Sequence, residues 1–144
     1  RSLVHYKTAA VADMADAERT AAERGADIIW DLSHASGAVV IDAGVNGARF
    51  AVGCGYKYLN GGPGAPAFIY GRRDEASRLA QPISGWMGAK SPFDFSAAYE
   101  PAAGIARFAA GTPPILSLAA LDASLDLFDG VDLRAIEAKA GALA

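Results

Sequence analysis

Two apolar runs, Phe50–Cys54 and Ala65–Tyr70, are separated by a turn whose loop, Asn60-Gly-Gly-Pro-Gly64, is too short for a crossover helix. The strands they predict must therefore run antiparallel. A further apolar run upstream, Ala26–Trp30, is continuous apart from Asp27. It predicts a strand covered on both faces. Enough chain lies between Asp31 and Phe50 for a crossover, so these two strands can be parallel. The prediction is an α/β fold: a mostly parallel mixed sheet with one antiparallel strand, flanked by helices. Asp31 and Lys57 then fall at one edge, the C-terminal end of the parallel pair, where open α/β sheets bind ligands.

Helices are predicted on either side of these strands. Residues 13–24 carry Asp13 as N-cap, acids in the first turn and Gly25 as a stop. A second helix is predicted from Ile115 to Phe128, with Thr112 before Pro113 and Pro114 as its N-cap. Gly130 breaks it, and Asp132 caps a last helix that runs to the end. Residues 81–112, with three prolines and the Gly85-Trp-Met-Gly88 turn, read as a long loop-rich stretch of functional or interface character.

The composition excludes several classes of function. A net charge of −3 with scattered basic residues gives no footprint for nucleic acid or an anionic membrane. No signal peptide or transmembrane run is visible. Cys54 is the only cysteine, so no internal disulfide can form, which suits a cytoplasmic location. The chain of 144 residues is long enough for one core, yet it opens on Arg1 and stops inside a helical pattern. The expectation is a piece of a longer polypeptide.

Lys57 stands out among the four lysines by its apolar surroundings. Most lysines are solvated, but one beside a desolvated pocket has a lowered pKa and becomes a nucleophile and proton carrier. Asp31 could simply cap a turn after its strand. An acid and a lysine, each ending a buried strand, also form the arrangement that holds pyridoxal phosphate. The lysine makes a Schiff base with the aldehyde, and the acid pairs with the protonated pyridine nitrogen. His34 could contact such a cofactor or serve structure equally well. The Tyr56 hydroxyl could reach a phosphate oxygen, or the ring could only pack.

The Gly85-Trp-Met-Gly88 turn could be a loop pinned by a buried Trp86 indole. Thr112 reads as a helix cap, compatible with phosphate at the helix N-terminus. Cys54 reads as a small buried group. With only His5 and His34 as histidines, no metal set is predicted. The glycine loop lacks the Gly-Lys-Ser/Thr of a P-loop, and no serine–histidine–acid set is legible.

Taken together, Asp31-Leu-Ser-His-Ala-Ser-Gly37, Gly55-Tyr-Lys-Tyr-Leu-Asn-Gly61, Gly85-Trp-Met-Gly88 and Thr112-Pro-Pro-Ile-Leu-Ser-Leu118 resemble the kynureninase family. The resemblance runs across essentially the whole chain. Each motif alone points only to the wider aminotransferase-like, pyridoxal-phosphate-dependent superfamily of fold type I.

The resemblance implies that residues 1–144 form part of the cofactor-binding large domain, with an upstream part and a C-terminal small domain outside the chain. It implies Lys57 as the Schiff-base lysine, Asp31 as partner of the pyridine nitrogen, and His34 beside the cofactor. Tyr56 would contact the phosphate. Trp86 and Thr112 would reach the cofactor across the interface of a homodimer. The implied reaction is hydrolytic Cβ–Cγ cleavage of L-kynurenine in tryptophan catabolism, giving anthranilate and L-alanine. The substrate-carboxylate arginine would lie outside this chain, so the fragment alone is expected to be inactive.

Two other readings compete. Cysteine desulfurases and selenocysteine lyases resemble the chain in the aspartate and lysine strands. They usually carry histidine directly before the lysine, where this chain has Tyr56, and a reactive cysteine on a mobile loop, whereas Cys54 is predicted in a strand. A non-catalytic α/β module would leave Asp31 and Lys57 merely structural.

Overall fold

Asp13 starts the first helix as its sequence predicts. Its carboxylate accepts the Asp16 amide at 2.9 Å, capping α1 (Met14–Glu23), and Gly25 follows with φ of +64°. The computed structural model describes residues 1–143. Met14, Ala17 and Glu18, at helical spacing, form the buried stripe of α1. They pack with Leu3, Leu32, Ala35, Ala48, Ala51 and the fully buried Trp30.

Three strands follow: β1 (Ile29–Asp31), β2 (Phe50–Cys54) and β3 (Ala67–Gly71), in spatial order β1-β2-β3. The first two are parallel, with Ile29 opposite Phe50 and Asp31 opposite Val52. The Gly55 amide bonds the Pro66 carbonyl at 2.9 Å, while Gly53 lies against Phe68. That descending register makes β3 antiparallel, so the sheet is mixed as expected.

β1 starts later than the apolar run predicts. The Ala26 amide still bonds Ala21 behind α1, and Asp27 is engaged by Arg49. β3 starts at Ala67 because Ala65 closes a turn onto Gly62 and the Pro66 carbonyl receives Gly55.

The expectation of cover on both faces is corrected. Trp30 and Ala51 are buried on one face, whereas Ile29 (60%), Val52 (39%) and Ile69 (50%) are exposed on the other. The segment before α1 lies beside β1 as well. Ser2 bridges Asp31 in parallel, and the Leu3 amide bonds the Asp31 carbonyl at 3.0 Å.

Further elements are α2 (Arg73–Ala76), α3 (Ile115–Leu125) and α4 (Leu133–Leu143). α3 tightens into a 3₁₀ turn over Asp126–Phe128, so the predicted helix to Phe128 is present with a change of pitch. Asp132 accepts the Arg134 amide at 2.9 Å and begins α4. Among the described residues, no helix is long and apolar enough to cross a membrane.

The chain divides into two compact units, residues 1–70 with 114–144, and residues 71–113. The second unit is loop-rich, as predicted. It holds α2 and short 3₁₀ turns at Trp86–Gly88 and Gly104–Phe108, and an isolated bridge joins Ala89 to Pro101.

Candidate active site

The first unit gathers Asp31, His34, Tyr56 and Lys57 at the C-terminal ends of β1 and β2. Asp31 is the last residue of β1, and the Leu32 amide continues the ladder to the Val52 carbonyl at 2.8 Å. The chain then coils into a helical turn, with Ala35 and Ser36 amides on the Leu32 carbonyl at 2.9 Å. His34 lies half-buried in this turn, its ring centroid 6.2 Å from that of Tyr6.

Asp31 is held from both sides. Oδ1 accepts the Ser33 amide at 2.9 Å, an Asx turn written into Asp31-Leu-Ser33, and Oδ2 accepts the Ser2 hydroxyl at 3.2 Å. The Ser33 hydroxyl and amide hold the carboxyl below its ordinary value, partial burial opposes them, and the Ser2 hydroxyl and the Lys57 charge add to the depression. Lys57 and Asp31 therefore interact electrostatically across the sheet edge.

Lys57 sits in the bend that follows β2, half-buried. The Gly61 amide closes the bend onto the Gly55 carbonyl at 2.9 Å, and the Asn60 amide bonds the Lys57 carbonyl at 2.9 Å. Asn60 takes the left-handed conformation, φ +59°, which asparagine tolerates. The Lys57 ammonium lies 5.4 Å from the centre of the exposed Tyr56 ring, a cation–π contact. The Cys54 thiol, at the end of β2, faces the Ser33 carbonyl at 3.8 Å, so the two strand ends are in contact.

Trp86 and Thr112 belong to the second unit. Two expectations about them are corrected. The Trp86 indole is 43% exposed rather than buried, and it stacks edge-on against Phe93 at 5.6 Å. Thr112 does not cap α3. The helix begins after Pro114, whose carbonyl receives the Leu118 amide at 2.9 Å, because two prolines displace the cap from the threonine.

Sequence reasoning passed over Ser2, Ser33 and Tyr6. Ser33 was legible as the third residue of an Asx turn. Ser2 and Tyr6 reach the site only through the parallel pairing of the N-terminal segment, which leaves no local pattern. Among the described residues, no group of three histidine, cysteine or acidic side chains could hold a metal ion.

A model of the aminotransferase class-V family matches residues 5–144. Kynureninase of Deinococcus radiodurans is 51% identical over 136 residues, 94% of this chain and 33% of that protein. Kynureninase of Burkholderia mallei is 45% identical over 140 residues, 97% of this chain and 34% of that protein. The chain thus spans about a third of the length of these curated relatives.

Among solved structures, the apo cysteine desulfurase of Thermococcus onnurineus superposes with a TM-score of 0.77 at 21% identity, covering 94% of this chain and 33% of that one. A C-DES variant with glycine covalently linked to its PLP cofactor superposes with a TM-score of 0.73 at 19% identity, covering 89% of this chain and 34% of that one. At such identities the likeness is one of fold.

Proposed function

Because this chain belongs to the aminotransferase class-V family, we propose that it carries the lysine-bearing part of a kynureninase, a pyridoxal-phosphate-dependent hydrolase. The reaction is hydrolytic cleavage of the Cβ–Cγ bond of L-kynurenine, or its 3-hydroxy form, to anthranilate, or 3-hydroxyanthranilate, and L-alanine. One observation carries the reading. A carboxylate held in its ionised form and a half-buried lysine share one sheet edge, and the lysine's charge adds to what keeps the carboxylate ionised.

The donor set suits the cofactor. An aspartate kept anionic by Ser33 and Ser2 is the partner that a protonated pyridine nitrogen requires. Pyridoxal phosphate, when bound, supplies an aldehyde for attachment to an amine and a ring that accepts electrons. Lys57 provides that amine. The Lys57 amine would also be the group to carry a proton to and from the substrate Cα. Asp31 would pair with the protonated ring nitrogen.

Tyr56 is assigned to the cofactor phosphate and His34 to the neighbourhood of the ring. Trp86 and Thr112 are assigned to the same cofactor in a homodimer whose sites lie at the interface, in the cytoplasm. Identities of 45–51% to kynureninases support this reading above a desulfurase. So does Cys54, whose thiol is directed at the Ser33 carbonyl from a strand end rather than carried on a loop.

The test uses the full-length protein loaded with pyridoxal phosphate. Borohydride reduction and peptide mapping should place a pyridoxyl group on Lys57. L-kynurenine should yield anthranilate and alanine in equal amounts. Sulfur release from L-cysteine without anthranilate from kynurenine, or an adduct on another lysine, overturns the assignment.

A further inference from the structure

The Lys57 bend is clamped from one side by α3. Leu121 lies against both ends of the bend. Its methyl carbons stand 3.0 Å and 2.9 Å from where side chains at Gly55 and Gly61 would begin. One turn further along α3, on the same face, the Ser124 hydroxyl donates to the Leu59 carbonyl, two residues beyond Lys57. Ser124 is buried, at 8% exposure, on a helix whose other side chains are mostly exposed.

A helical serine ordinarily bonds its own backbone one turn back or turns to solvent. Here the hydroxyl is instead directed out of the helix, onto a carbonyl of the lysine-bearing turn. Leu121 and Gly37 pack against that turn from outside, and within it the backbone has a small set of hydrogen bonds. It depends on the Asn60 and Gly61 amides and on the left-handed Asn60.

We propose that Ser124 is a positioning residue for Lys57, fixing through the Leu59 carbonyl the direction in which the lysine leaves its turn. This deepens the kynureninase reading and rests on it. Ser124 touches no reacting atom. It acts by holding the turn so that the Lys57 amine stays aimed at the edge where Asp31 lies. Misplacement of an attacking or proton-carrying group by a fraction of an ångström lowers the rate of the step it performs without changing how strongly substrate binds.

The experiment compares full-length wild type, Ser124→Ala and Ser124→Thr. Alanine suits a helix interior, and threonine keeps the hydroxyl at the small cost of a β-branched side chain and one added methyl. In cofactor-free protein, hydrogen exchange at the Asn60 and Gly61 amides should quicken about tenfold in Ser124→Ala and return toward wild type in Ser124→Thr.

In cofactor-loaded protein, the pH titration of the visible absorbance should move in Ser124→Ala and recover in Ser124→Thr. For kynurenine, kcat should fall about tenfold in Ser124→Ala with KM within about twofold. Wild-type exchange and an unmoved titration in Ser124→Ala overturn the proposal. If instead the wild type takes no pyridoxyl group on Lys57 after borohydride, the kynureninase reading itself fails, and this inference falls with it.

Discussion

Asp31 stands opposite Val52 in the parallel pair, and the charge of Lys57 reaches its carboxylate from the bend just beyond β2. The carboxyl sits below its ordinary value of 3.8, chiefly through Ser33. A depressed folded value contributes stability that is fully present above the unfolded value. That contribution is lost as pH falls through the folded one. Acidification below about pH 4 should therefore weaken the protein, and Asp31→Asn should remove that part of the acid sensitivity. Denaturant midpoints at about pH 6 and about pH 3 for both proteins measure the difference. An identical acid loss in Asp31→Asn would show that other carboxylates carry it. Ser33→Ala should raise the Asp31 titration more than Lys57→Ala, because the serine is the larger cause and the lysine charge the smallest.

The fully buried Trp30 donates its indole N–H to Glu18 of α1 at 2.7 Å. This bond joins the helix to the strand that ends in Asp31. Glu18→Ala improves helix propensity but leaves a buried donor unpaired, and the second effect is the larger. The loss should be about 1–3 kcal/mol. Glu18→Gln keeps an acceptor and should lose less. Urea unfolding of the three proteins, followed by Trp fluorescence, measures both. Equal losses for Ala and Gln would mean that packing, not the hydrogen bond, holds the pair.

Much of this arrangement was legible because its determinants are local. Asp13 and Gly25 mark α1 within a residue, and the bounds of β2 match its apolar run. The short Asn60–Gly64 loop forces β3 antiparallel, and that geometry places Asp31 and Lys57 at one edge. What escaped prediction depends on distant partners. Nothing in Arg1–Val4 announces a strand, yet it pairs with Asp31. β1 is shortened because α1 retains the Ala26 amide and Arg49 takes Asp27. Thr112 reads as a cap by residue type, but Pro113 and Pro114 move the helix start beyond its reach. Ser124 looks like any helical serine until α3 is laid on the lysine bend.

Gly37 ends the aspartate motif with φ of +85°, and a side chain there would begin 2.5 Å from the Tyr58 carbonyl oxygen. The aspartate turn and the lysine bend therefore touch backbone to backbone. Gly37→Ala brings left-handed strain of about 1–2 kcal/mol, and the clash with a fixed carbonyl adds to it. The bend must move for alanine to fit, so the change should cost about 2 kcal/mol or more. It should also weaken pyridoxal phosphate binding by shifting Lys57. Thermal unfolding and cofactor titration of the full-length protein report the two effects. Unchanged binding alongside lowered stability would show that the bend keeps its place despite the clash.

Lys57 combines two properties that substitution can separate, a positive charge beside Asp31 and an amine that can bond to carbon. Lys57→Arg keeps the charge and the cation–π partner for Tyr56, but a guanidinium stays protonated and makes a poor nucleophile. Lys57→Ala removes both properties. Neither variant of the full-length protein should give a pyridoxyl adduct at position 57 after borohydride reduction. On the proposed kynureninase reading, both should lose kynurenine turnover by about 1,000-fold or more. They should differ at Asp31, whose titration stays depressed in Lys57→Arg and rises slightly in Lys57→Ala. If Lys57→Arg retained turnover within about tenfold of wild type, charge alone would suffice at this position and the covalent role would be lost.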